Sequence, residues 1–500
     1  MSERDGGGVP PHDERGATPL TGGEADAERV ARRAPAWALA LLDVLNGAGH
    51  DAYLVGGFVR DAVRGVRAHD VDIACAAPWE TTKRLLVAHG YTVIETGVRH
   101  GTISVLTGEA GEHPVEITTF REDGAYSDGR HPDGVRFVSS VEDDLARRDF
   151  TINAMAWNPA RGLVDPFGGR DDLARGVIRA VGDPTTRFRE DGLRVLRGMR
   201  FASKLGFEVE PGTAVAIHDC ADALDVVAPE RKGVEFDGLV AGSHAPEVLR
   251  AYTDVVTRML PEIAPMVGFD QNSRWHVYDV WEHCLHALEL LDPSASLIVR
   301  YATLLHDIGK PETYTQDEHG HGHFYGHEQA GAITARSVFR RLRWRSIDMD
   351  HACVLIRVHD RHIEATRRGV LRTLARLGRS YIGADVIVTS MFRELLQLKR
   401  ADTAAHAPST VEARLEQLDE VERVFERVLA ERDVFLVRDL AVTGRDVMAC
   451  GVPRGPEVGA ILRDLLGCVV DGTLPNDREA LLAATRARVS AAGASAPAAS

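Results

Sequence analysis

The run Leu54-Val55-Gly56-Gly57-Phe58-Val59-Arg60-Asp61, followed by His69-Asp70-Val71-Asp72-Ile73, constrains this chain more than any other stretch. An apolar strand that enters a Gly-Gly turn and leaves it as a helix presents backbone N–H groups to an anion with no side chain in the way. Asp70 and Asp72 stand two apart in a second apolar segment, so on a strand they share one face. Acids isolated among apolar residues need a reason to be there. Two on one face suit a pair of Mg²⁺ ions holding a triphosphate for in-line attack at phosphorus. Taken singly, the halves read as a common turn and a solvated strand edge; in succession they point to phosphoryl transfer.

Periodicity predicts a helix over 36–46, strands over 52–55, 71–74, 91–95, 102–106 and 115–120, and a helix over 81–89, which together make an α/β region. After about residue 165 the strand signals stop. Helices are expected over 191–205, 213–223 and 229–240 and then on to about residue 487, with breaks at Gly206, Pro211, Pro229, Pro246 and Pro261. The Gly-, Pro- and acid-rich residues 1–28 and the Ala/Ser/Gly/Pro end at 489–500 read as disordered tails. Between them the expected divisions are an α/β region at 29–168 and helical regions at 169–268, 269–405 and 406–488.

Six cysteines without a Cys-x-x-Cys pair argue against a zinc ribbon or a disulfide framework and for a reducing compartment, so the cytoplasm is expected. No apolar run approaches the length of about 18 residues needed to span a bilayer, and the polar N-terminus lacks a signal-peptide core; neither membrane nor export is expected. A net charge of −15 opposes binding to nucleic acid when taken as an average. Locally the balance reverses. Basic residues outnumber acidic ones between Gly176 and Leu205, a second cluster runs from Arg336 through Arg340, Arg341, Arg343 and Arg345, and Arg361, Arg367, Arg368, Arg372, Arg376 and Arg379 continue it. Each tract reads either as a solvated helical face or as part of a charged groove.

Further motifs follow in order. Glu116 is isolated on the strand Val115-Glu116-Ile117 and is either a third metal-binding carboxylate or an edge-strand acid. Arg147-Arg148-Asp149-Phe150-Thr151-Ile152-Asn153 resembles the ribose-recognition motif of the bacterial and eukaryotic-type tRNA nucleotidyltransferases and their poly(A) polymerase relatives. That resemblance implies a polymerase-β-like palm with a mixed sheet, followed by an all-α neck and body. Gly56, Gly57 and Arg60 would hold the triphosphate, Asp70 and Asp72 the Mg²⁺, and Arg148, Asp149 and Asn153 the ribose and phosphates. Asp165-Pro166-Phe167-Gly168-Gly169 resembles the connection from head to neck.

Glu190-Asp191-Gly192-Leu193-Arg194-Val195-Leu196-Arg197 resembles the family's nucleotide-selecting motif. On a helix Asp191 and Arg194 lie on one face, as an ion pair or as a template. A carboxylate accepting from an exocyclic amine and a guanidinium donating to a ring acceptor match cytosine and adenine, not uracil or guanine. Arg197 is a further contact candidate, and Pro229-Glu230-Arg231 with Glu235 resembles a supporting motif. The implied substrates are CTP, ATP and the 3′ end of tRNA. CCA-adding, A-adding, CC-adding and poly(A)-making enzymes share these motifs. The polar segment from Arg121 to Arg147, with Asp123-Gly124-Ala125-Tyr126-Ser127-Asp128-Gly129-Arg130, resembles the loop that CCA-adding enzymes keep, which favours complete CCA addition.

A second constellation is built on Leu304-Leu305-His306-Asp307-Ile308-Gly309-Lys310, with His283, His327, His359 and Asp402. Imidazoles with carboxylates suit a divalent transition metal such as Mn²⁺ or Ni²⁺. The set resembles an HD phosphohydrolase domain, which implies one metal at His283, His306, Asp307 and Asp402 and a second at His327 and His359; a retained scaffold is the other reading. A metal-dependent phosphohydrolase whose head only binds RNA is the alternative from a different class, and the intact Asp70/Asp72 pair argues against it.

Overall fold

The structure is a computed structural model that describes residues 22–68, 70–107, 114–123, 135–273, 275–380 and 385–494. The chain packs as two compact units. The first holds the described residues up to Arg194 together with Phe207–Val226; the second holds Val195–Gly206 and the described residues from Val227 on.

The first unit is built on a mixed seven-stranded sheet in the spatial order Thr92–Gly97, Thr102–Leu106, Val115–Thr119, Asp72–Cys75, Ala52–Val55, Ala156–Asn158, Gly162–Val164. Asp72–Cys75 runs parallel to Val115–Thr119, and the remaining pairs are antiparallel. Ala52–Val55 is buried at all four positions. It therefore reads as an unbroken apolar run rather than an alternating one, as strands covered on both faces do. Tyr53, Val55, Ala74, Phe120, Leu145 and Ala156 share one core cluster, in which the rings of Tyr53 and Phe120 lie 6.1 Å apart.

The second unit is helical, apart from one hairpin pair among the described residues, Thr315–Gln316 with Gly322–His323. Five of its helices, Val280–Glu289, Leu297–Leu305, His327–Arg341, Ser346–Val358 and Asp385–Ala404, carry the HD residues on their bodies or at their ends.

Several expectations need correction. Residues 22–33 form a helix, Gly22–Arg33, rather than the end of a tail. Val30 is its buried anchor, and polar ties do the rest: Arg29 donates to the Val63 carbonyl and Arg170 to Asp26. One apolar anchor gives no periodicity to read. The C-terminal helix likewise runs on over Arg478–Ala494, into the stretch expected as a tail. Strands do not stop at 165, because Val177–Ile178 pairs in parallel with Glu208–Val209. Two residues are too few to show alternation. The strand expected over 71–74 begins at Asp72, so Asp70 precedes it. His69, residues 124–134 of the long polar segment, and residues 1–21 lie outside the described residues.

Candidate active sites

The transferase site is set by register. Val55 pairs with Asp72 across the antiparallel pair, and Asp72 pairs with Glu116 across the parallel one. Two carboxylates in register on adjacent strands thus lie side by side, next to the residue that leads into Gly56. Asp70, Asp72 and Glu116 are all accessible. Protein nevertheless surrounds Asp72 enough that loss of bulk water is the main cause raising its carboxyl above the usual range. Arg148 opposes the rise, while the Glu116 and Asp70 charges add to it. Accessible carboxylates near enough for the Glu116 and Asp70 charges to act on Asp72 fit the donor set of hard divalent cations.

Gly56 has φ +68°, a conformation that L side chains rarely adopt. A Cβ there would also meet the Arg148 guanidinium at 2.9 Å. The helix Gly57–Arg64 starts immediately after it. Arg60 donates from Nη1 to Asn153 Oδ1 at 2.8 Å and is braced by two bonds to Asp61. Asn153 donates in turn to Asp149 Oδ1 at 3.1 Å. Hydrogen bonds thus link Arg60, Asn153 and Asp149 beside the turn, and the Arg148 guanidinium, held by Asp144, lies against Gly56.

Asp191 and Arg194 are arranged differently from the expected helical pair. Asp191 is extended, with φ −136° and ψ 105°, at the break between helices Pro184–Glu190 and Leu193–Leu205. Its Oδ1 accepts from the Leu193 N–H. Arg194 is paired with Glu190 at 2.7 Å and donates to the Arg147 carbonyl at 2.8 Å. Glu190 thus orients the guanidinium. In the second unit Arg197 reaches Glu235 at 3.4 Å, and Arg200 bonds the other oxygen of the same carboxylate.

In the second unit all six expected HD residues converge, each nearly buried. His283 Nε2 lies 3.0 Å from Asp402 and 3.6 Å from Asp307. His306 Nε2 lies 3.3 Å from Asp307 and 3.5 Å from Asp402. His327 and His359 stand 3.5 and 3.7 Å from the second oxygen of Asp307. The Nδ1 atoms of His306, His327 and His359 face the carbonyls of Thr303, Phe324 and Ile356 at 2.7, 2.8 and 2.7 Å. Donation there turns each Nε2 toward the carboxylates, where it offers a lone pair to a metal once the ring is deprotonated. His306 Nε2 is buried and makes no hydrogen bond. Its ring, with His283 and Asp402 on one side and Asp307 and His359 on the other, places donor atoms within 4.8 Å of one another in each trio. An orphaned imidazole nitrogen among carboxylates fits a divalent metal.

Burial alone would raise Asp307, but the charges of His306 and Lys310 hold it well below the carboxylate range. Lys310 Nζ stands 2.6 Å from its Oδ2. A cavity of about 1090 Å³ opens onto these residues and is also lined by Trp275, Tyr325 and Lys399.

With this geometry in place, comparison with known proteins is decisive. Residues 52–179 match the family model for the "Poly A polymerase head domain", and residues 275–407 match the "HD domain". Residues 206–266 match the "Probable RNA and SrmB- binding site of polymerase A", and residues 413–485 match tRNA nucleotidyltransferase domain 2. A CCA-adding enzyme of Levilactobacillus brevis is 34% identical over 89% of this chain and 96% of its own length. The chain belongs to the CCA-adding enzyme family. A CCA-adding enzyme of Leuconostoc mesenteroides is 43% identical over half of this chain, a match that spans 63% of that relative's length. Among solved structures, the Bacillus stearothermophilus CCA-adding enzyme in complex with CTP is similar at a TM-score of 0.67 and 27% identity, covering 92% of this chain and 98% of that one. A Thermotoga maritima CCA-adding enzyme complexed with tRNA, 19% identical, shares the fold at a TM-score of 0.57, covering 93% of this chain and 98% of that one.

Some side chains that build the site of this CCA-adding enzyme family member escape sequence reasoning. Asp144 is fully buried and holds both Arg147 and Arg148. Its signal is its place three and four residues before two arginines on a helix. Asp172, also buried, accepts from Thr151 and so anchors the turn Thr151–Asn153. His276 and His406 extend the HD cluster, their rings 4.7 Å apart. Nothing in the spacing of these two histidines sets them apart from the other histidines of the chain.

Proposed function

We propose that this chain adds CCA to the 3′ end of tRNA from CTP and ATP and releases pyrophosphate. The observation that carries the reading is the register of Asp72 with Glu116, next to the Gly56 turn, in a chain whose relatives over nearly their full length are CCA-adding enzymes. Asp70, Asp72 and Glu116 would hold Mg²⁺. Bound there, the ions supply charge that offsets the developing negative charge and lowers the pKa of the attacking 3′-hydroxyl. The chain's own groups do the positioning. The Gly56-Gly57 backbone and the Arg60 and Arg148 guanidiniums hold the triphosphate, and Asn153 and Asp149 hold the ribose. Arg194, aimed by Glu190, donates to the base while Asp191 at the bend accepts its amine. Incorporation of labelled CMP and AMP into a tRNA transcript lacking its 3′ end tests this. Both are expected; AMP alone, added as a homopolymer, favours poly(A) synthesis, and arrest after CC favours a partial enzyme.

A second activity is favoured by one observation, the orphaned His306 Nε2 between Asp307 and Asp402. With a divalent transition metal at His283, His306, Asp307 and Asp402, and room for another at His327 and His359, the second unit is proposed to hydrolyse phosphoesters. Phosphodiesterase activity restored by Mn²⁺ or Ni²⁺ after chelation, and lost in His306→Ala, is expected. Equal activity in that variant would leave the cluster a scaffold.

A further inference from the structure

The two basic tracts of the second unit differ once their partners are counted. The tract at 336–345 is largely neutralised: Arg336 pairs with Asp350, Arg341 with Glu262, Arg343 with Glu230 and Arg345 with Asp348. On the helix Arg367–Ser380 the first turns are neutralised too, Arg367 by Asp433 and Arg368 and Arg372 by Asp471. Beyond them Arg376 and Arg379, with Arg463 from the helix Pro456–Val470, line a pocket of about 250 Å³. None of these three makes an ion pair or hydrogen bond among the described residues. Arg372, Arg376 and Arg379 stand at i, i+4 and i+7 and so form one row on the helix. Asp471 is the one carboxylate lining the pocket, and it is already shared by Arg368 and Arg372.

A half-buried arginine facing other arginines is destabilising unless an anion completes it. Burial first, and then the Arg361, Arg379 and Arg372 charges, pull the Arg376 guanidinium below its ordinary value. The chain as a whole is acidic, at −15, so this concentration of unpaired cations does not follow from composition. Arg376 and Arg379 rise roughly 4.5 Å apart along the helix, about one turn, and Arg463 joins them from a second helix, so three guanidiniums converge on a space of the size of a backbone phosphate. The pocket is too small for a folded protein segment.

We infer that Arg376, Arg379 and Arg463 form a backbone-phosphate site for the tRNA, remote in sequence from the chemistry and contributing affinity rather than base choice. This rests on tRNA being the acceptor, as proposed above. Guanidinium forks suit phosphate oxygens, and phosphate contacts position a nucleic acid without reading its sequence.

The test uses the full chain and a tRNA transcript lacking its 3′ end, with Arg379→Gln/Arg463→Gln, both exposed positions, and the charge-keeping Arg379→Lys/Arg463→Lys. In the glutamine variant the slope of log Kd against log salt is expected to fall by about 1 to 2, and KM for tRNA to rise about tenfold, while kcat and the KM for CTP stay within about twofold. The lysine variant is expected to keep the wild-type slope. Melting temperature is expected to hold or rise in the glutamine variant, because the removed charges only repel one another in the free protein. An unchanged slope and KM overturn the site. So does an unchanged slope combined with a melting temperature that inorganic phosphate raises in the wild type but not in Arg376→Gln, which would make the pocket a free-anion site. Failure of the wild type to add nucleotides would overturn the proposed activity instead, and the salt slopes, measured without nucleotide, would still report on the pocket.

Discussion

Asp72 is in register with both Val55 and Glu116, and the proposed chemistry rests on that register. Asp72→Ala is expected to lower nucleotide addition by at least about 1,000-fold, the scale of losing electrostatic stabilisation at the reacting phosphate, as measured by single-turnover incorporation of CMP. Asp144 has a structural role in the same unit. Burial would raise its carboxyl, but Arg147 and Arg148 overcome this and hold it below the usual range. A depressed folded-state pKa means that its contribution is present above the unfolded value of about 3.9 and is lost as pH falls through the folded one. Asp144→Asn should therefore cost about 3 kcal/mol at pH 7, as breaking a buried pair does, and should narrow the stability difference between pH 7 and pH 3 in urea titrations. The two glycines and the two acids were legible in the sequence because their chemistry is unusual in apolar surroundings. Asp144 and Glu190 were not, since a carboxylate next to arginines looks the same in sequence whether it is buried or solvated.

Between Pro184–Glu190 and Leu193–Leu205 the chain breaks, and this break places Asp191 and Arg194, the residues proposed to select the base. A Cβ on Gly192 would come within 2.2 Å of the Ala223 carbonyl oxygen. Gly192→Ala is thus expected to cost about 1–3 kcal/mol through overpacking and to loosen nucleotide choice with it. Asp191→Ala is expected to relax the choice between CTP and UTP more than it lowers the rate. The measurement for both is the ratio of kcat/KM for CMP and UMP incorporation, and an unchanged ratio in Asp191→Ala would remove that residue from the base contact. A helix that begins at Asp191 was the natural reading of an apolar pattern at helical spacing, whereas it begins at Leu193; the close approach of Gly192 to Ala223 is tertiary and leaves no periodic trace. The sheet's five early strands were legible within a residue or two. Its two last strands, Ala156–Asn158 and Gly162–Val164, are three residues each and fall below the length at which alternation can be seen.

At the scale of the whole molecule, two units carry two separate clusters of ligand-like side chains, one of accessible carboxylates and one of nearly buried histidines and carboxylates. Their burial differs as their proposed metals do, hard Mg²⁺ meeting open oxygens and a transition metal meeting enclosed imidazoles. No helix among the described residues is long and apolar enough to cross a membrane. The HD set was legible because His306-Asp307 and four distant ligands are rare in combination, whereas the unpaired arginine pocket was hidden among many arginines until their partners could be counted. The proposed activity requires one site to add C, C and then A without a nucleic-acid template. Sequencing the 3′ ends of a tRNA transcript lacking its terminus, after incubation with the full chain, CTP, ATP and Mg²⁺, tests it most directly. Ends that finish in CCA and stop there are expected; ends that finish in CC, or run on in A, would overturn the proposed activity.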